Sequence, residues 1–561
     1  MANNFPNLLP SLNLDLVNGI YVDPRITFTR AGTRTYYGRD VVKAEENLLL
    51  QSQTFNTASW TKGASVTLTT DAAVAPDGTS TAEMFSTALG SDSSAQQIAQ
   101  VTTSGTGVFT VSIFLRSASS QTVRLKLFEN NGVTLIANED VSVTSTWTRF
   151  AFTVTVTTAN FTLGIRPSGT ALTDIEIWGA QLEKRSFATA YTVTTTQPIT
   201  RYQRQLKTAA ANEWPREFNP VTGECLGRSV WESRTNLLLY SEEFDNAYWT
   251  KSNVTISTNQ IIAPDGTLTA DKLVEDATSN QHRVLRAIDG STKNVSIYAK
   301  AAERSYIGLF AAVGTRTYFN LSAGTIGTVS SGSTATIESV GNGWYRCSLY
   351  NAHPTNGGLF QLSTDGTTET YTGDGYSGIY IWGAQLEAGA FATPYIPTVA
   401  SQVTRVADSA TMTGTNFSSW YRQDEGAFFV DFSMIGINAS AGGSAVYSAS
   451  DGTTSNRIRL NYTGSTTLTA DIAVGGTAQV ALASTTALST YAKHALSYKT
   501  NDSASTINGG AVGTDTVCTM PVVSQFQIGL LVSTGPMNGY IKRLTYYNQA
   551  LTAANLQAIT R

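Results

Sequence analysis

The sequence has few of the residues that metal sites, disulfide frameworks and nucleophilic centres need. It contains three histidines and three cysteines in 561 residues: His282, His353, His494, Cys225, Cys347 and Cys518. Members of each set lie far apart along the chain, whereas a local metal site brings its ligands within a few residues of one another. We therefore expect isolated histidines, buried free thiols and no firm metal centre.

Charge is also sparse and shows no clustering. Only 14% of residues are charged, the formal net charge is −4, and no cluster of lysine and arginine marks a nucleic-acid surface. No apolar run is long enough to span a membrane. The N-terminal stretch lacks the basic segment and apolar core of an export signal. We expect no nucleic-acid partner, no membrane partner and synthesis in the cytoplasm.

Several signatures of catalysis are missing. The chain has no Gly-x-Ser-x-Gly elbow, Walker loop, His-Glu-x-x-His motif or dinucleotide fingerprint. Paired acids remain as candidate catalytic residues, because a glycosidase needs only two carboxyl groups on either side of a sugar. These groups are Glu242 with Glu243, Asp271 with Glu275 and Asp276, Asp365 with Glu369, and Asp424 with Glu425. Adjacent acids on a strand point to opposite faces and loop acids are usually solvated, so we expect no catalytic residues.

What the sequence has is a pattern of short alternating runs. Stretches rich in Val, Thr, Ile and aromatic residues are separated by Gly, Asn, Ser and Asp, which is typical of antiparallel β-sandwiches. Residues 552–560 are the one good helix candidate. The fold class is therefore predicted as all-β, with sandwiches in tandem.

One heptapeptide occurs twice. Residues 177–183 and 381–387 both read IWGAQLE, each at the end of an alternating run. The openings match as well: NLLLQSQTFNTASWTK (47–62) corresponds to NLLLYSEEFDNAYWTK (236–251), and APDGT recurs at 75–79 and 263–267. The chain is predicted to contain a duplicated domain whose tryptophans, among them Trp147, Trp178, Trp344 and Trp382, belong to the core.

These patterns divide the chain into five parts. Residues 1–45 form an N-terminal segment that is too small for its own core, predicted as an anchor to a partner or as a strand added to the first domain. Residues 46–200 are the first repeat, 201–234 an ordered connector and 235–404 the second repeat. Residues 405–561 have a different strand pattern and are predicted to form a third β-sandwich.

The motifs are specific enough to suggest families. The second repeat carries NLLLYSEEFDNAYWTK, APDGTLTADKL, VSIYAKA and IYIWGAQLEAGAFATPYIP, and the connector carries FNPVTGECLGRSVWESRTNLLL. In these motifs both repeats resemble the head-spike-fibre domain of tailed-bacteriophage virion proteins. The C-terminal part, ending YIKRLTYYNQALTAANLQAIT, is similar to laminin-G/concanavalin-like sandwiches. The resemblance implies two jelly rolls followed by a laminin-G-like sandwich.

The resemblance also implies a function. It suggests a non-enzymatic head or tail fibre or spike in the virion, docked to capsid or tail through its N-terminal region. Such a protein is expected to contact host polysaccharide or lipopolysaccharide. It is also expected to form a homo-oligomer, with a trimer as the first expectation. Two alternatives stay open: a glycan-degrading tailspike-type enzyme, although no β-helix period is present, and a decoration protein without host binding.

Candidate ligand residues follow from what sugars and calcium need. Sugars need flat aromatic faces beside hydrogen-bonding groups, and calcium needs clustered loop oxygens. The glycan-binding candidates are Tyr350, Tyr371, Tyr376, Trp420, Tyr421, Tyr447 and Tyr462. The calcium candidates are Asp365, Glu369 and Asp374, for which an ordinary acidic turn is the competing interpretation.

Overall fold

The computed structural model describes residues 9–129, 134–286, 293–310, 316–352, 360–437, 443–462, 466–532 and 535–561. The described chain is almost entirely β-structure, which confirms the predicted fold class. Its helices are a 3₁₀ turn (Ser94–Gln96), α1 (Thr415–Ser418) and α2 (Ala553–Thr560), the last at the predicted place. Among the described residues, no helix has the length and hydrophobicity needed to cross a bilayer.

The first repeat is a sandwich of two five-stranded antiparallel sheets. Three strands precede it: β1 (Leu12–Asp15), β2 (Thr27–Thr29) and β3 (Arg34–Asn47). Its own strands are β4 (Thr61–Lys62), β5 (Val66–Ala73), β6 (Ala82–Thr87), β7 (Ile98–Thr103), β8 (Gly107–Arg116), β9 (Gln121–Glu129), β10 (Leu135–Val143), β11 (Thr148–Val156), β12 (Asn160–Pro167) and β13 (Ile175–Glu183). The sheet orders are β10-β9-β12-β7-β4 and β11-β8-β13-β6-β5. Alternation buries every second side chain of β9, such as Leu125 and Leu127, between the sheets.

The second repeat has the same strand order with one strand added to each sheet. Strands β14 (Ile199–Ala209), β15 (Glu217–Phe218), β16 (Cys225–Val230) and β17 (Arg234–Asn236) lead into it. Its strands are β18 (Thr250–Ser252), β19 (Val254–Ile261), β20 (Ala270–Glu275), β21 (Ser279–Asn280), β22 (Arg283–Leu285), β23 (Lys293–Ala301), β24 (Tyr306–Phe310), β25 (Arg316–Asn320), β26 (Thr325–Ile326), β27 (Thr334–Gly341), β28 (Trp344–Ala352), β29 (Phe360–Ser363), β30 (Tyr371–Thr372) and β31 (Gly378–Glu387). The orders are β18-β22-β29-β24-β25-β26 and β19-β20-β31-β23-β28-β27. The added β26 and β27 account for the greater length of this repeat.

The duplicated tryptophan makes the same hydrogen bond in both repeats. Trp178 Nε1 donates to Thr81 Oγ1 and Trp382 Nε1 donates to Thr269 Oγ1, each at 3.1 Å. Both indoles are buried, as predicted. The threonines lie two residues after the duplicated APDGT turn. The hydrogen bond therefore links the IWGAQLE strand to the segment after the APDGT turn in each repeat.

The duplicated glutamate also has one role in both copies. Glu183 accepts hydrogen bonds from the backbone N–H and hydroxyl of Thr189, and Glu387 accepts the same pair from Thr393. Each carboxylate is fully buried and holds the segment that follows its own strand. A buried carboxylate needs such donors, which explains why the heptapeptide ends in glutamate.

The third sandwich is completed by strands from elsewhere in the chain. After β32 (Val403–Arg405), its strands are β33 (Ser409–Thr413), β34 (Glu425–Gly436), β35 (Ser444–Ser450), β36 (Arg457–Tyr462), β37 (Thr467–Val474), β38 (Thr477–Thr485), β39 (Ala492–Lys499), β40 (Ser503–Ile507), β41 (Gly513–Asp515), β42 (Gln525–Ile528) and β43 (Asn538–Tyr547). One sheet has the order β15-β16-β43-β34-β39-β40-β41, with β1 also on β43. The other has the order β2-β33-β42-β35-β36-β37-β38.

The placement of β1 and β2 corrects one expectation for the N-terminal segment. Neither strand joins the first repeat; both pair with the third sandwich, where Leu12 and Leu14 lie in the core. The connector strand β16 also pairs with β43. Burial of alternating leucines drives this pairing, because the segment has no core of its own. Whether the segment also anchors a partner stays a prediction.

A long ribbon links the repeats. Strands β3 and β14 pair antiparallel from Asn47 opposite Ile199 to Arg34 opposite Ala209. The ribbon packs on the second repeat, where the Leu206 N–H donates to the Pro264 carbonyl at 2.9 Å. β17 and β32 pair at the start and end of the second repeat.

Candidate functional site

A groove of about 320 Å³ lies between the two repeats. The first repeat contributes the duplicated turn after β5 (residues 74–78), Arg116 at the end of β8, and residues 145–147 before β11. The second repeat contributes Glu303 and Arg304 after β23 and residues 374–377 before β31. The groove therefore consists of loops on two rigid sandwiches.

Two aromatic side chains give the groove its apolar surface. Trp147 is 8% exposed, its Nε1 donates to the Val74 carbonyl at 3.1 Å, and the Arg116 guanidinium lies 4.9 Å from its ring centroid. From the opposite side, Tyr376 contacts Phe114 of the first repeat edge-on, with centroids 6.4 Å apart. Burial raises the pKa of Tyr376. Its phenol is thus a neutral hydrogen-bonding group.

Arg304 is held in place on the groove wall by Glu275. Its Nε donates to Glu275 Oε2 at 2.9 Å, and its Nη2 lies 3.6 Å from Asp374 Oδ2. Tyr371, which is not part of the groove lining, donates to the same Glu275 oxygen at 2.7 Å. Burial opposes the charge on Arg304, but the ion pair with Glu275 raises its pKa overall. Arg304 is therefore a fixed cation.

Asp374 and Glu303 provide carboxylates at the rim. The Asp374 side chain is 49% exposed. Burial raises its pKa, but hydrogen bonds from the Ser377 hydroxyl and from backbone N–H groups outweigh this, so the pKa is lowered overall. Glu303 pairs with Lys272 at 2.8 Å, and the Lys272 Nζ lies 4.4 Å from the Tyr376 ring centroid. Asp374 therefore lacks the raised pKa of a general acid, and the Glu303 carboxylate is held in an ion pair.

This arrangement suits reversible binding of a hydroxylated ring. A pyranose packs a C–H face on an indole or phenol ring and offers hydroxyls at its edge. Here the half-buried Tyr376 ring and the small exposed part of Trp147 lie beside the Arg304 guanidinium and the Asp374 carboxylate. These groups supply both donors and acceptors for hydroxyl groups.

The structure brings part of the predicted aromatic set to this groove. Tyr376 lines it, and Tyr371 lies behind its wall against Glu275. Tyr350 is half-buried on β28, opposite Asn294 and Thr334, and is not part of the groove lining. Of the three tyrosines predicted in the second repeat, only Tyr376 faces the site directly.

The four candidates in the third sandwich are corrected. Trp420, Tyr447 and Tyr462 are buried in its core, at 3%, 0% and 1% exposure. Tyr421 packs against the same core and stacks on Phe417, with centroids 4.5 Å apart. A sugar needs an exposed ring face, and these side chains have theirs covered by the core they stabilise.

The calcium hypothesis is also corrected. Asp365 accepts hydrogen bonds from Thr367 and Thr368 in its own turn, and Glu369 pairs with Arg316. Asp374 accepts from the backbone N–H groups of Tyr376 and Ser377. Among the described residues, no group of three or more His, Cys, Asp or Glu side chains is arranged to hold a metal ion. The three acids are turn acceptors, each already bound to donors.

The acid pairs considered for catalysis have structural partners. Asp271 accepts from the backbone N–H groups of Phe244 and Asn259, and burial raises its pKa to about 6. Its counterpart in the first repeat, Glu83, accepts from the Phe55 N–H in the same way. Asp424 and Glu425 both form ion pairs with Arg422, at 2.6 and 2.8 Å.

The two histidines that the structure describes lie in different sandwiches. His282 is buried, with ring nitrogens 2.7 and 3.2 Å from the carbonyl oxygens of Asn253 and Tyr371. His494 is buried in the third sandwich. The third, His353, lies outside the described residues.

Sequence reasoning missed four residues of the groove: Arg116, Trp147, Glu303 and Arg304. Trp147 was assigned to the core, which is correct for most of its surface but not for the edge beside Tyr376. Arg116, Glu303 and Arg304 were not considered. A usable signal existed, because Arg116 ends β8 and Arg304 lies in the loop after β23, and both strands neighbour the strand that carries the heptapeptide. Loops at strand ends are where sandwiches place ligand-binding residues.

No protein-family model matches the chain, and no curated protein sequence matches it. Several solved structures show a weak likeness to the chain. The CBM40 domain of a Ruminococcus gnavus IT-sialidase bound to α2,3-sialyllactose is 18% identical, with 26% of this chain and 88% of that chain covered, at a TM-score of 0.23. The tandem CBM22 domains of Paenibacillus barcinonensis Xyn10C are 14% identical, over 62% and 99% of the chains, at 0.20. The enzymatically active domain of bacteriophage CBA120 tailspike protein 4 is 15% identical, over 25% and 21%, at 0.19. At these TM-scores the likenesses carry no argument about a ligand.

Proposed function

We propose that this protein is a structural component of a tailed-bacteriophage virion, a head or tail fibre or spike, and that it binds host-surface glycans without cleaving them. The observation that carries the binding proposal is the groove between the repeats, where the Trp147 and Tyr376 rings lie beside Arg304 and Asp374. The virion role is supported by the sequence motifs that resemble head-spike-fibre domains.

The chemistry of the groove favours binding over cleavage. A glycosidase needs one carboxyl group kept protonated near neutral pH beside a second, ionised one. In the groove, Glu303 is paired with Lys272, and the pKa of Asp374 is lowered. A single shallow site of this kind binds weakly, so repeated copies in a homo-oligomer, with a trimer expected, would supply avidity.

The test compares two equivalent tryptophans. Trp147 Nε1 donates to the Val74 carbonyl and Trp344 Nε1 donates to the Ile262 carbonyl, both at 3.1 Å, but only Trp147 lines the groove. Binding of the full chain to host polysaccharide and lipopolysaccharide is measured for Trp147→Phe and Trp344→Phe. We expect loss of binding for the first variant only.

Two further readouts separate the alternatives. Release of reducing ends from the polysaccharide, abolished by Glu303→Gln or Asp374→Asn, would establish the enzyme instead. Density for the chain in a reconstruction of the phage particle tests the virion role. A chain located in the particle that binds no host glycan would be a decoration protein.

A further inference from the structure

A second cavity, of about 480 Å³, lies where four parts of the chain meet. The ribbon, the connector, the second repeat and the third sandwich all contribute to its wall, and it shares no lining residue with the groove between the repeats. Its volume falls within the roughly 300–1,000 Å³ of small-molecule sites. The ribbon contributes Thr35, Tyr36, Tyr37 and Leu206 to its wall.

The wall is unusually aromatic. Eight of the lining side chains are aromatic, and they come from all four parts of the chain. Trp231 of the connector and Tyr540 of β43 meet edge-on, with centroids 6.0 Å apart. Tyr37 of β3 and Tyr298 of β23 face them from the ribbon and the second repeat. Aromatic faces on several sides fit a ring that has two apolar faces.

Polar groups without partners point to a hydroxylated occupant. The Tyr37 hydroxyl is buried and interacts with the neighbouring Tyr298 hydroxyl, but among the described residues no group meets the geometry of a full hydrogen bond to it. Arg346 Nη2 donates to Ser296 Oγ at 3.1 Å, but its buried Nε has no acceptor within the described part of the chain. A buried donor left without a partner destabilises the protein, so a ligand that supplies acceptors is favoured.

The charges around the cavity cancel. Glu338 on β27 is opposite Arg346 on β28 in the strand register, and it forms no ion pair with a described residue. Glu217, the other acid of the wall, pairs with Arg34 at 2.8 Å. The site therefore offers one free carboxylate and one partly free guanidinium, which suits an uncharged ligand rich in hydroxyl groups.

We propose that this cavity is a second saccharide site that takes one neutral sugar residue, with Tyr37, Tyr540 and Arg346 as donors and Glu338 as the acceptor. The inference rests on the proposed glycan-binding function and extends it, because it gives each chain two separated sugar contacts. A ligand here would also touch the ribbon, the connector and both sandwiches at once.

The test uses the full chain and three probes: the methyl glycosides of glucose, galactose and N-acetylglucosamine. Saturation-transfer NMR and tryptophan fluorescence report binding. We expect at least one probe to bind and to change the fluorescence, and Trp231→Phe to remove that change. Tyr540→Phe and Glu338→Gln retain shape and each remove one hydrogen bond, so affinity should fall about two- to tenfold with the melting temperature unchanged.

The outcomes distinguish this proposal from the proposed function. Trp147→Phe should leave glycoside binding unchanged while it removes polysaccharide binding. If no probe binds at millimolar concentration, or if Tyr540→Phe and Glu338→Gln bind like the unmodified chain, the cavity holds only water and the inference fails. Polysaccharide binding that depends on Trp147 would survive that result.

Discussion

Arg30 and Asp408 form an ion pair with no solvent exposure on either side chain, although 378 residues separate them. Arg30 Nη1 lies 3.2 Å from Asp408 Oδ1, while Asp408 Oδ2 accepts a hydrogen bond from the Trp231 N–H at 2.9 Å. Arg34 Nη1 approaches the same Oδ2 atom at 3.5 Å. One carboxylate thus joins the N-terminal segment, the connector and the third sandwich.

Asp408→Asn should destabilise the protein strongly. Removing one partner of a buried ion pair leaves the other charge uncompensated, which costs about 3–5 kcal/mol. Here Arg30 loses its carboxylate, and Arg34 keeps only Glu217 as an ion-pair partner. Denaturant unfolding measures the change. Asp424→Asn is the control, because Asp424 pairs with Arg422 in solvent, and we expect little effect. Equal effects of the two variants would contradict the structural role of Asp408.

Glu242→Gln should stabilise the protein above neutral pH. Burial raises the pKa of Glu242 to about 7, and the Tyr395 hydroxyl donates to it at 3.0 Å. The folded state therefore holds a proton that the unfolded state has released, and stability is lost as pH rises from about 4.5 through 7. A glutamine avoids this cost, on the order of 2 kcal/mol at pH 8, and changes little at pH 4. The first repeat already has Gln53 at this position.

The measurement is the unfolding free energy of both proteins from pH 4 to pH 9. Glu243→Gln serves as the control because Glu243 is an exposed neighbour. A gain that is the same at every pH would show that the titration of Glu242 is not its cause.

Local sequence determined most of the strands but not all of their partners. The run Leu12, Asn13, Leu14, Asp15 alternates as a half-buried strand should, and it is one. Its pairing with β43, at the far end of the chain, has no local signal, since four residues specify a face and not a neighbour. The third sandwich therefore looked independent of the N-terminal segment.

The site was harder to predict than the fold, for two reasons. The groove depends on how the repeats pack, so Trp147 and Tyr376 meet only in three dimensions. Some misassignments were avoidable: Ile458, Leu460 and Tyr462 are two residues apart on β36 and share one face, so the alternation already predicts a buried Tyr462. Tyr447 was not predictable in this way, because every residue of β35 is buried.

Gly383→Ala should destabilise the second repeat. Gly383 has φ +62°, and a Cβ there would lie 2.9 Å from Tyr298 Cδ2. Both the left-handed backbone and the contact disfavour a side chain. Gly475→Ala is the matched control, because Gly475 has φ +57° with nothing within 4 Å of a Cβ. We expect about 1 kcal/mol for the control and more for Gly383→Ala, measured by denaturant unfolding. Equal losses would show that the Tyr298 contact carries no cost.

His494→Gln should reduce the acid sensitivity of the protein. His494 is buried on β39, and neither ring nitrogen has a hydrogen-bond partner among the residues that the structure describes. Desolvation lowers its pKa to about 3. The unfolded chain takes up the proton near pH 6.5, so stability is lost as pH falls from about 6.5 toward 3. That loss is about 2 kcal/mol at pH 5 for this one group.

Buried carboxylates with raised pKa values, such as Glu83 and Asp271, act in the opposite direction, so the comparison must be between variant and unmodified protein. We expect the two stability curves to coincide in slope above pH 7 and to diverge below 6.5; curves that stay parallel down to pH 5 would mean that His494 is not a buried neutral imidazole.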